Sequence, residues 1–376
     1  MKKVLFLATA LAVAISFASC DKNNNNNGKK EKQKVDISVL DPIVKNYADV
    51  VVLPTYKHLK ECNEALFTAV SELCANPTDK NFEKAAEAWL TAREPWEKSE
   101  AFLFGPVAAL GLDPNMDSWP LDQSGIEQIL QSGDWKALEW SKESEAEAAQ
   151  NVRGFHTLEY LLFKDGKART TSDEDYKKVP ESWRNYMKAV SNLLKKDATD
   201  LHNAWAVSYK GGEAYINIFR NHSNGTYPTA LACIEEILDG CSEIADEVGN
   251  AKIGGPYNLY QQGKKEEALY AVESWYSWHS KEDYTNNIYS IRNAYYGTLD
   301  GKIAQNSIST LVKGLDEELD TEVKNAINAA VTAIQLIPTP LRNHINSKES
   351  EAAMAACKNL DEVLKKLKAN IREFIK

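Results

Sequence analysis

The sequence is poor in the residues that interrupt regular secondary structure. Its 376 residues include only 18 glycines and 12 prolines, which are too few for the many turns that connect short β-strands. Apolar residues make up 43% of the chain and charged residues 26%, a composition typical of globular proteins. These values favour long helices, and we predict an all-α fold.

Basic residues are also in deficit. Lys and Arg number 44 against 54 Asp and Glu, which gives a formal net charge of −10. A nucleic-acid-binding domain normally carries an excess of basic residues clustered on one face. The charge balance therefore argues against nucleic acid as a partner.

Cysteine is sparse, and its spacing does not suit a local metal or redox motif. The six cysteines form no CxxC pair, so the sequence predicts neither a zinc knuckle nor a thioredoxin-like site. We interpret the five cysteines that follow Cys20 as small buried apolar groups, with one disulfide between distant segments left open. These five are Cys62, Cys74, Cys233, Cys241 and Cys357.

Long apolar runs are absent as well, since none reaches the roughly 20 residues that a transmembrane helix needs. The run from Val4 to Phe17 is preceded by two lysines and followed by Ala18, Ser19 and Cys20. This order is typical of a bacterial lipoprotein signal peptide. We predict that residues 1–19 are removed and that Cys20 is lipidated, which anchors the protein in the envelope of a Gram-negative bacterium. An ordinary signal peptide with an incidental cysteine is the alternative.

The rest of the chain divides into a tether and two helical regions. Residues 20–36 are rich in Asn and Lys and are predicted to form a disordered tether. Residues 37–210 and 211–376 are predicted to form two helical-bundle domains, with Gly211-Gly212 as the boundary between them. Internal duplication of the two bundles stays open, because the sequence similarity between them is low.

One stretch breaks the helical pattern of the first domain. Residues 105–122 contain three prolines, and Asp117 and Asp122 flank Trp119 within this stretch. We predict a long loop here, and loops of this length are usually functional in compact domains.

One helical segment places two polar side chains among apolar residues. In the helix predicted for residues 145–163, His156 and Glu159 are three residues apart and project from one face. A buried His and Glu are costly unless they are paired, hydrogen-bonded or bound to a metal. An ion pair and a ligand pair for iron or zinc both stay open at this point. Gly154 weakens a helix interior, which predicts that another segment approaches it closely.

The segment GFHTLEYLLF, residues 154–163, has a GxHxxE core that resembles the signature of the imelysin family. The resemblance extends to residues 89–107, 113–122, 251–257 and 286–297. It implies a two-domain, all-helical protein with the GxHxxE motif near the cleft between the domains. The family is classed among metallopeptidases, and other members are described as iron-regulated envelope proteins associated with iron or haem uptake.

We predict from these observations that the protein binds a metal ion, iron or zinc, or a metal complex such as haem. His156 and Glu159 are the predicted ligands. The supporting residues predicted around them are Arg93, Glu97, Asp117, Asp122 and Gly154. Arg93 would position a carboxylate or accept an anionic chelate.

Two other functions stay open. A zinc-type metallopeptidase of the insulin-cleaving kind needs three protein ligands, an open coordination position and a general base, whereas the motif supplies one His and one Glu. A non-catalytic partner of an outer-membrane transporter would use His156 and Glu159 as an internal ion pair. The lipid anchor is the expected link to the membrane in every case.

Overall fold

Helices account for most of the computed structural model, which describes residues 34–134, 138 and 149–376. The predicted signal peptide, Cys20 and most of the tether lie outside these residues. The strands in the described part form one short antiparallel hairpin, in which Phe163–Lys164 (β1) pairs with Lys167–Ala168 (β2). The predicted all-α fold is therefore confirmed.

The α-helices of the first part of the chain are three helices of 19 to 27 residues and several shorter ones. They are α1 (Asp41–Asn46), α2 (Leu53–Ala75), α3 (Asp79–Glu97), α4 (Pro106–Leu110), α5 (Leu112–Asp117), α6 (Gln123–Ser132), α7 (Gly154–Leu162), α8 (Glu174–Lys178) and α9 (Pro180–Ala206). A π-helical segment, Tyr47–Val52, connects α1 to α2, and Pro54 lies in the first turn of α2. Short 3₁₀ turns occur at Ile37–Leu40 and Glu100–Phe102.

The second part of the chain repeats this use of long helices. Its α-helices are α10 (Tyr215–Arg220), α11 (Ala230–Asp246), α12 (Gly254–Gln261), α13 (Lys265–Ala271), α14 (Ser280–Tyr296), α15 (Ile308–Leu315), α16 (Glu317–Leu336) and α17 (Lys348–Phe374). A second π-helical segment, Glu247–Ile253, connects α11 to α12. A 3₁₀ turn at Leu341–Asn343 precedes α17.

Side-chain caps fix where several long helices begin. Thr78 accepts a hydrogen bond from the backbone N–H of Asn81 at the start of α3, and Thr229 does the same for Ala232 at the start of α11. A Ser or Thr at this position satisfies an amide that has no partner within the helix. Pro180 is the first residue of α9. Proline has no backbone N–H, so it leaves no unpaired amide at this position.

The long helices pack into two groups. Helix α2 contacts both α3 and α9, and α7 packs against α3 and α9. In the second group α17 contacts α11 and α16, and α14 contacts α11 and α16. Helix α14 also contacts α3, so these two helices join the groups.

The described residues from both groups form one compact unit. Helix α1 precedes the first group in the chain but packs against α10 and α11 of the second half. The first and last described segments also meet, since the Val35 N–H donates to Phe374 and the Lys376 N–H donates to Val35. A division at residue 211 into two duplicated domains is therefore not confirmed.

The stretch that breaks the sequence pattern, residues 105–122, folds differently from the long loop predicted for it. It contains α4 and α5, separated by Gly111 in the left-handed conformation. The prediction of a continuous loop is wrong, because five or six residues between prolines and glycines suffice for a short helix that packing stabilises.

Two further expectations concern the cysteines and the membrane. All five cysteines of the described residues are free, and four are buried, as expected for small apolar groups. Within the described ranges, no helix combines the length and the apolar character required to cross a bilayer.

Candidate metal centre

Two backbone segments approach each other closely at Gly154, next to the candidate site. This residue starts α7 with φ +87°, and a Cβ atom added there would lie 2.5 Å from the Met116 carbonyl oxygen. Only glycine tolerates both the dihedral angle and the contact. The predicted close approach is confirmed, although Gly154 begins the helix instead of lying in its interior. Residues 151–153 form a turn, so the predicted helix 145–163 is not continuous.

This contact places the end of α5 beside His156 on α7. The Nδ1 atom of His156 lies 3.1 Å from Oε2 of Glu159. On the other side of the ring, Nε2 lies 3.1 Å from Oδ1 of Asp117 and 3.3 Å from Oε1 of Glu273. His156 and Glu159 have no exposed surface. Both ring nitrogens therefore face carboxylates in the interior.

Glu159 is itself held in place by the segment that follows α13. Its Oε1 accepts hydrogen bonds from the backbone N–H of Ser277 at 2.8 Å and from the Ser277 hydroxyl at 2.7 Å. Its Oε2 remains directed at Nδ1 of His156. Glu159 thus fixes the orientation of the imidazole ring.

Arg93 from α3 lies among the acidic side chains and is fully buried. Its Nη1 donates to Asp117, its Nη2 contacts Glu97, and its Nε donates to Asp283 at 3.1 Å. Nη2 also lies 3.4 Å from Nε2 of His156. The guanidinium joins α3 to three other helices, α5, α7 and α14, as its fixed fork of donors allows.

A polar stripe continues along the contact between α3 and α14. Asn287 on α14 donates to the Glu97 carboxylate, four residues beyond the pair formed by Asp283 and Arg93. The Ser290 hydroxyl accepts a bond from the Ala101 N–H at 3.0 Å. These residues recur every three or four positions, which places them on one face of α14.

Lys252 supplies the second buried cation. Its Nζ lies 2.9 Å from Oε2 of Glu273, whose other oxygen faces His156. Burial disfavours the ammonium, but Glu273 and Glu100 outweigh it and raise the pKa of Lys252. Lys252 therefore stays charged and fixes Glu273.

The same balance of burial and charge acts on the other ionisable groups. Burial and Arg93 disfavour the imidazolium of His156, but Asp117 and Glu159 outweigh them and raise its pKa well above the usual value. Burial raises the pKa of Glu97 to about 8. Burial also acts against ionisation of Asp117, yet Arg93 and His156 hold its pKa well below the usual range. The cluster thus contains both charged and protonated carboxyl groups.

Two sets of side chains bring three ligand atoms within 4.8 Å of one another in the described part of the chain. One set is Asp117, His156 and Glu273, and the other is Glu97, Glu100 and Asp117. We call the residues of both sets, together with Arg93, Glu159, Lys252 and Asp283, the buried cluster.

The structure brings most of the predicted site residues together. Arg93, Glu97 and Asp117 all join His156 in the buried cluster. Asp122 instead caps α6 by accepting a bond from the Gly125 N–H, the usual role of Asp at a helix start. Glu159 contacts Nδ1 of His156, so a role as a metal ligand stays a prediction.

Sequence reasoning missed the residues that the second half of the chain contributes. Glu273, Asp283 and Lys252 lie more than ninety residues from His156 in sequence, and no local spacing connects them with it. Residues 251–257 and 286–297 carried part of the family resemblance, which was the available signal that this region matters.

The sequence and the fold are similar to those of known proteins. The family model for imelysin matches residues 52–367. The chain belongs to the imelysin family. The iron-regulated protein A of Synechococcus elongatus is similar, with 26% identity over 317 residues that cover 84% of this chain and 81% of that protein.

Two solved structures share the imelysin fold. A crystal structure described as an iron-regulated protein A precursor, from Parabacteroides distasonis, is 34% identical with a TM-score of 0.83, and the match covers 89% of this chain and 96% of that one. An imelysin-like protein from Psychrobacter arcticum is 12% identical with a TM-score of 0.65, over 91% and 98% of the two chains. The second likeness supports the fold alone.

Proposed function

We propose that this imelysin-family protein binds an iron ion in the buried cluster, with Asp117, His156 and Glu273 as ligands. The observation that carries the proposal is the convergence of their three ligand atoms within 4.8 Å. The three residues come from α5, α7 and the segment after α13. Three separate segments therefore supply one set of ligand atoms.

The distances between these atoms suit a metal. Ligand atoms about 2.1 Å from one ion lie roughly 3.0–3.4 Å apart in octahedral or tetrahedral geometry. Nε2 of His156 lies 3.1 Å from Asp117 and 3.3 Å from Glu273. Glu159 on Nδ1 supports the same arrangement, because ligating histidines usually donate their other N–H to a carboxylate.

The charges of the cluster also favour a cation. Glu97, Asp117, Glu159, Glu273 and Asp283 are five carboxyl groups in direct contact with His156, Arg93 or Lys252. With Glu97 protonated, the remaining carboxyl groups still outnumber Arg93 and Lys252, the two permanent cations, and loss of the His156 proton leaves an acidic excess that an iron ion would neutralise. The imidazolium proton of His156 must leave when a metal binds at Nε2.

Iron is favoured over zinc by the ligands and by the relatives. Two of the three ligands are hard carboxylate oxygens, and structural zinc sites rely more often on Cys and His. Two of the relatives are described as iron-regulated. We further propose that the protein acts in iron acquisition while anchored to the bacterial envelope through Cys20, on the strength of the signal-peptide pattern.

Metal titration of untagged protein tests the proposal. We expect wild-type protein to bind one Fe²⁺ per chain under anaerobic conditions, and His156→Ala and Glu273→Gln to lose this binding. His58→Ala is the matched control, because His58 is exposed and lies on α2. Melting curves show whether each variant is folded. No stoichiometric iron in the wild type, or full binding by both variants, would refute the proposal.

Peptidase activity can be assayed separately on the same protein. His156 and Glu159 have no exposed surface and Glu273 is 6% exposed, so a peptide bond has no direct path to these side chains. We therefore expect no cleavage of unfolded peptides with iron or zinc present. Chelator-sensitive cleavage that Glu159→Ala abolishes would favour the metallopeptidase instead.

A further inference from the structure

A surface cavity of about 380 Å³ lies next to the buried cluster and is lined by acidic side chains. Its five acidic residues define what we call the acidic pocket. They are Glu100, Glu236, Asp239, Glu243 and Glu247. Glu100 belongs to both the pocket and the buried cluster, so the two are continuous through one carboxylate.

Four of the acids come from one helical face. Glu236, Asp239, Glu243 and Glu247 are spaced three or four residues apart along α11 and the π-helical segment after it. Like charges at this spacing destabilise an isolated helix. The row of four acidic residues on the side facing the cavity therefore destabilises this helix.

The chain supplies only part of the opposite charge that the acidic pocket needs. Lys368 pairs with Asp239 at 2.5 Å, and Lys252 lies 3.6 Å from Glu247. Within residues 34–134 and 149–376, no hydrogen bond or ion pair is found for the side chains of Glu236 and Glu243. The pocket therefore keeps an acidic excess that a cation can neutralise.

Glu100 is the second and independent feature of this site. It is only 7% exposed. In the described part of the chain its carboxyl group forms no hydrogen bond or ion pair, and the more distant charge of Lys252 does not offset its burial. Burying a carboxylate without a partner is costly. One of its oxygens lies within 4.8 Å of ligand atoms of Glu97 and Asp117. An unpaired, buried carboxylate at this position is suited to bind a cation passing between the cavity and the cluster.

The backbone holds Glu100 beside α11. A Cβ atom at Gly240 would clash with the carbonyl oxygen of Ala101, so α11 approaches the 3₁₀ turn at Glu100–Phe102 as closely as a backbone can. The position of Glu100 in the pocket wall is therefore built into the packing and does not depend on a flexible loop.

We infer that the acidic pocket is the uptake site for a hydrated divalent cation, and that Glu100 transfers this cation to the buried ligands. A cleft lined by one sign of charge concentrates the opposite ion and speeds its association. Carboxylates can replace part of the hydration shell while the ion still keeps some waters. The inference rests on the proposed function, because it presupposes a metal at Asp117, His156 and Glu273.

The rate of iron uptake tests this inference separately from the amount of iron bound. Trp119 lies against His156 with ring centroids 4.8 Å apart, so quenching of tryptophan fluorescence reports arrival of Fe²⁺ in an anaerobic stopped-flow experiment. The test variant is Glu236→Gln/Glu243→Gln. The control is Glu83→Gln/Glu87→Gln, which removes two exposed charges from the N-terminal half of α3.

We expect the pocket variant to take up Fe²⁺ about tenfold more slowly than the control pair at low ionic strength. The difference should shrink at about 0.5 M salt, since screening weakens the field of exposed charges. Glu100→Gln should remain slow at both salt concentrations, because it removes a carboxylate that contacts the ion.

Two results would overturn the uptake role while the proposed function stands. In the first, the pocket variant loads as fast as the control and both reach one iron per chain. In the second, the pocket variant binds less iron at saturation, which would make Glu236 and Glu243 ligands in their own right. If wild-type protein takes up no iron, the uptake role and the proposed function both fail.

Discussion

Gly154 offers the sharpest test of how the buried cluster is assembled. Replacing it with alanine adds one Cβ atom at φ +87°, 2.5 Å from the Met116 carbonyl oxygen. The alanine must either adopt an unfavourable backbone conformation or push α5 away from α7. Because Asp117 directly follows Met116, a shift of α5 also moves Asp117 away from His156.

The expected loss of stability follows from two contributions. A left-handed backbone costs a non-glycine residue about 1–2 kcal/mol, and overpacking costs about 1–3 kcal/mol. We expect Gly154→Ala to lower the free energy of unfolding by about 2–5 kcal/mol. At about 2.1 cal/mol/K per residue, this corresponds to a melting temperature roughly 3–7 °C lower for a unit of this size.

Thermal unfolding of metal-free protein measures this effect, with Gly255→Ala as the control. Gly255 lies in the first turn of α12, and a Cβ atom there meets nothing within 4 Å. The control should melt within about 1 °C of wild type or slightly higher, since alanine favours helix. A Gly154→Ala protein that melts like the control would refute the close approach of α5 and α7.

Three other substitutions test the charges of the cluster. Arg93→Met should lower the free energy of unfolding by about 3–5 kcal/mol in urea titrations, because it leaves buried carboxylates without their cation; a loss below about 1 kcal/mol would contradict the network. Asp283→Asn tests pH dependence: burial opposes ionisation of Asp283, but Arg93 and His279 outweigh it and hold its pKa at about 2. The charged form therefore contributes stability above pH 3.8 that is lost as the pH falls through about 2, so the melting-temperature difference from wild type should shrink over that range. A constant difference would count against this linkage. Glu159→Gln should weaken iron binding about 10–100-fold in a metal titration, because it removes the charge that orients His156; unchanged affinity would show that Glu159 plays no such part.

Local sequence patterns predicted the helices well, because amphipathic spacing, caps and prolines act over a few residues. Helix α9 begins at Pro180, and α16 begins after Asp316, whose side chain caps the Leu319 N–H. The patterns failed at residues 105–122, where packing stabilises α4 and α5 even though each is only five or six residues long and contains a proline.

The sequence predicted only those residues of the candidate site that lie in the first half of the chain. His156 and Glu159 were found because an apolar helix makes polar residues conspicuous, and Gly154 because glycine is unfavourable in a helix. Arg93 and Glu97 could equally have formed a solvated face, but contact with α14 buries them. Glu273 and Lys252 reach the site because segments that are distant in sequence pack together. The spacing of residues along the chain does not reveal such packing.

The most direct test of the iron site is a crystal structure of iron-loaded protein with anomalous scattering recorded at the iron edge. The account predicts one anomalous peak within about 2.0–2.3 Å of Nε2 of His156 and of carboxylate oxygens of Asp117 and Glu273. Glu159 should remain hydrogen-bonded to Nδ1. A protein without an anomalous peak in the buried cluster, or with a peak bound only by surface carboxylates, would contradict the account.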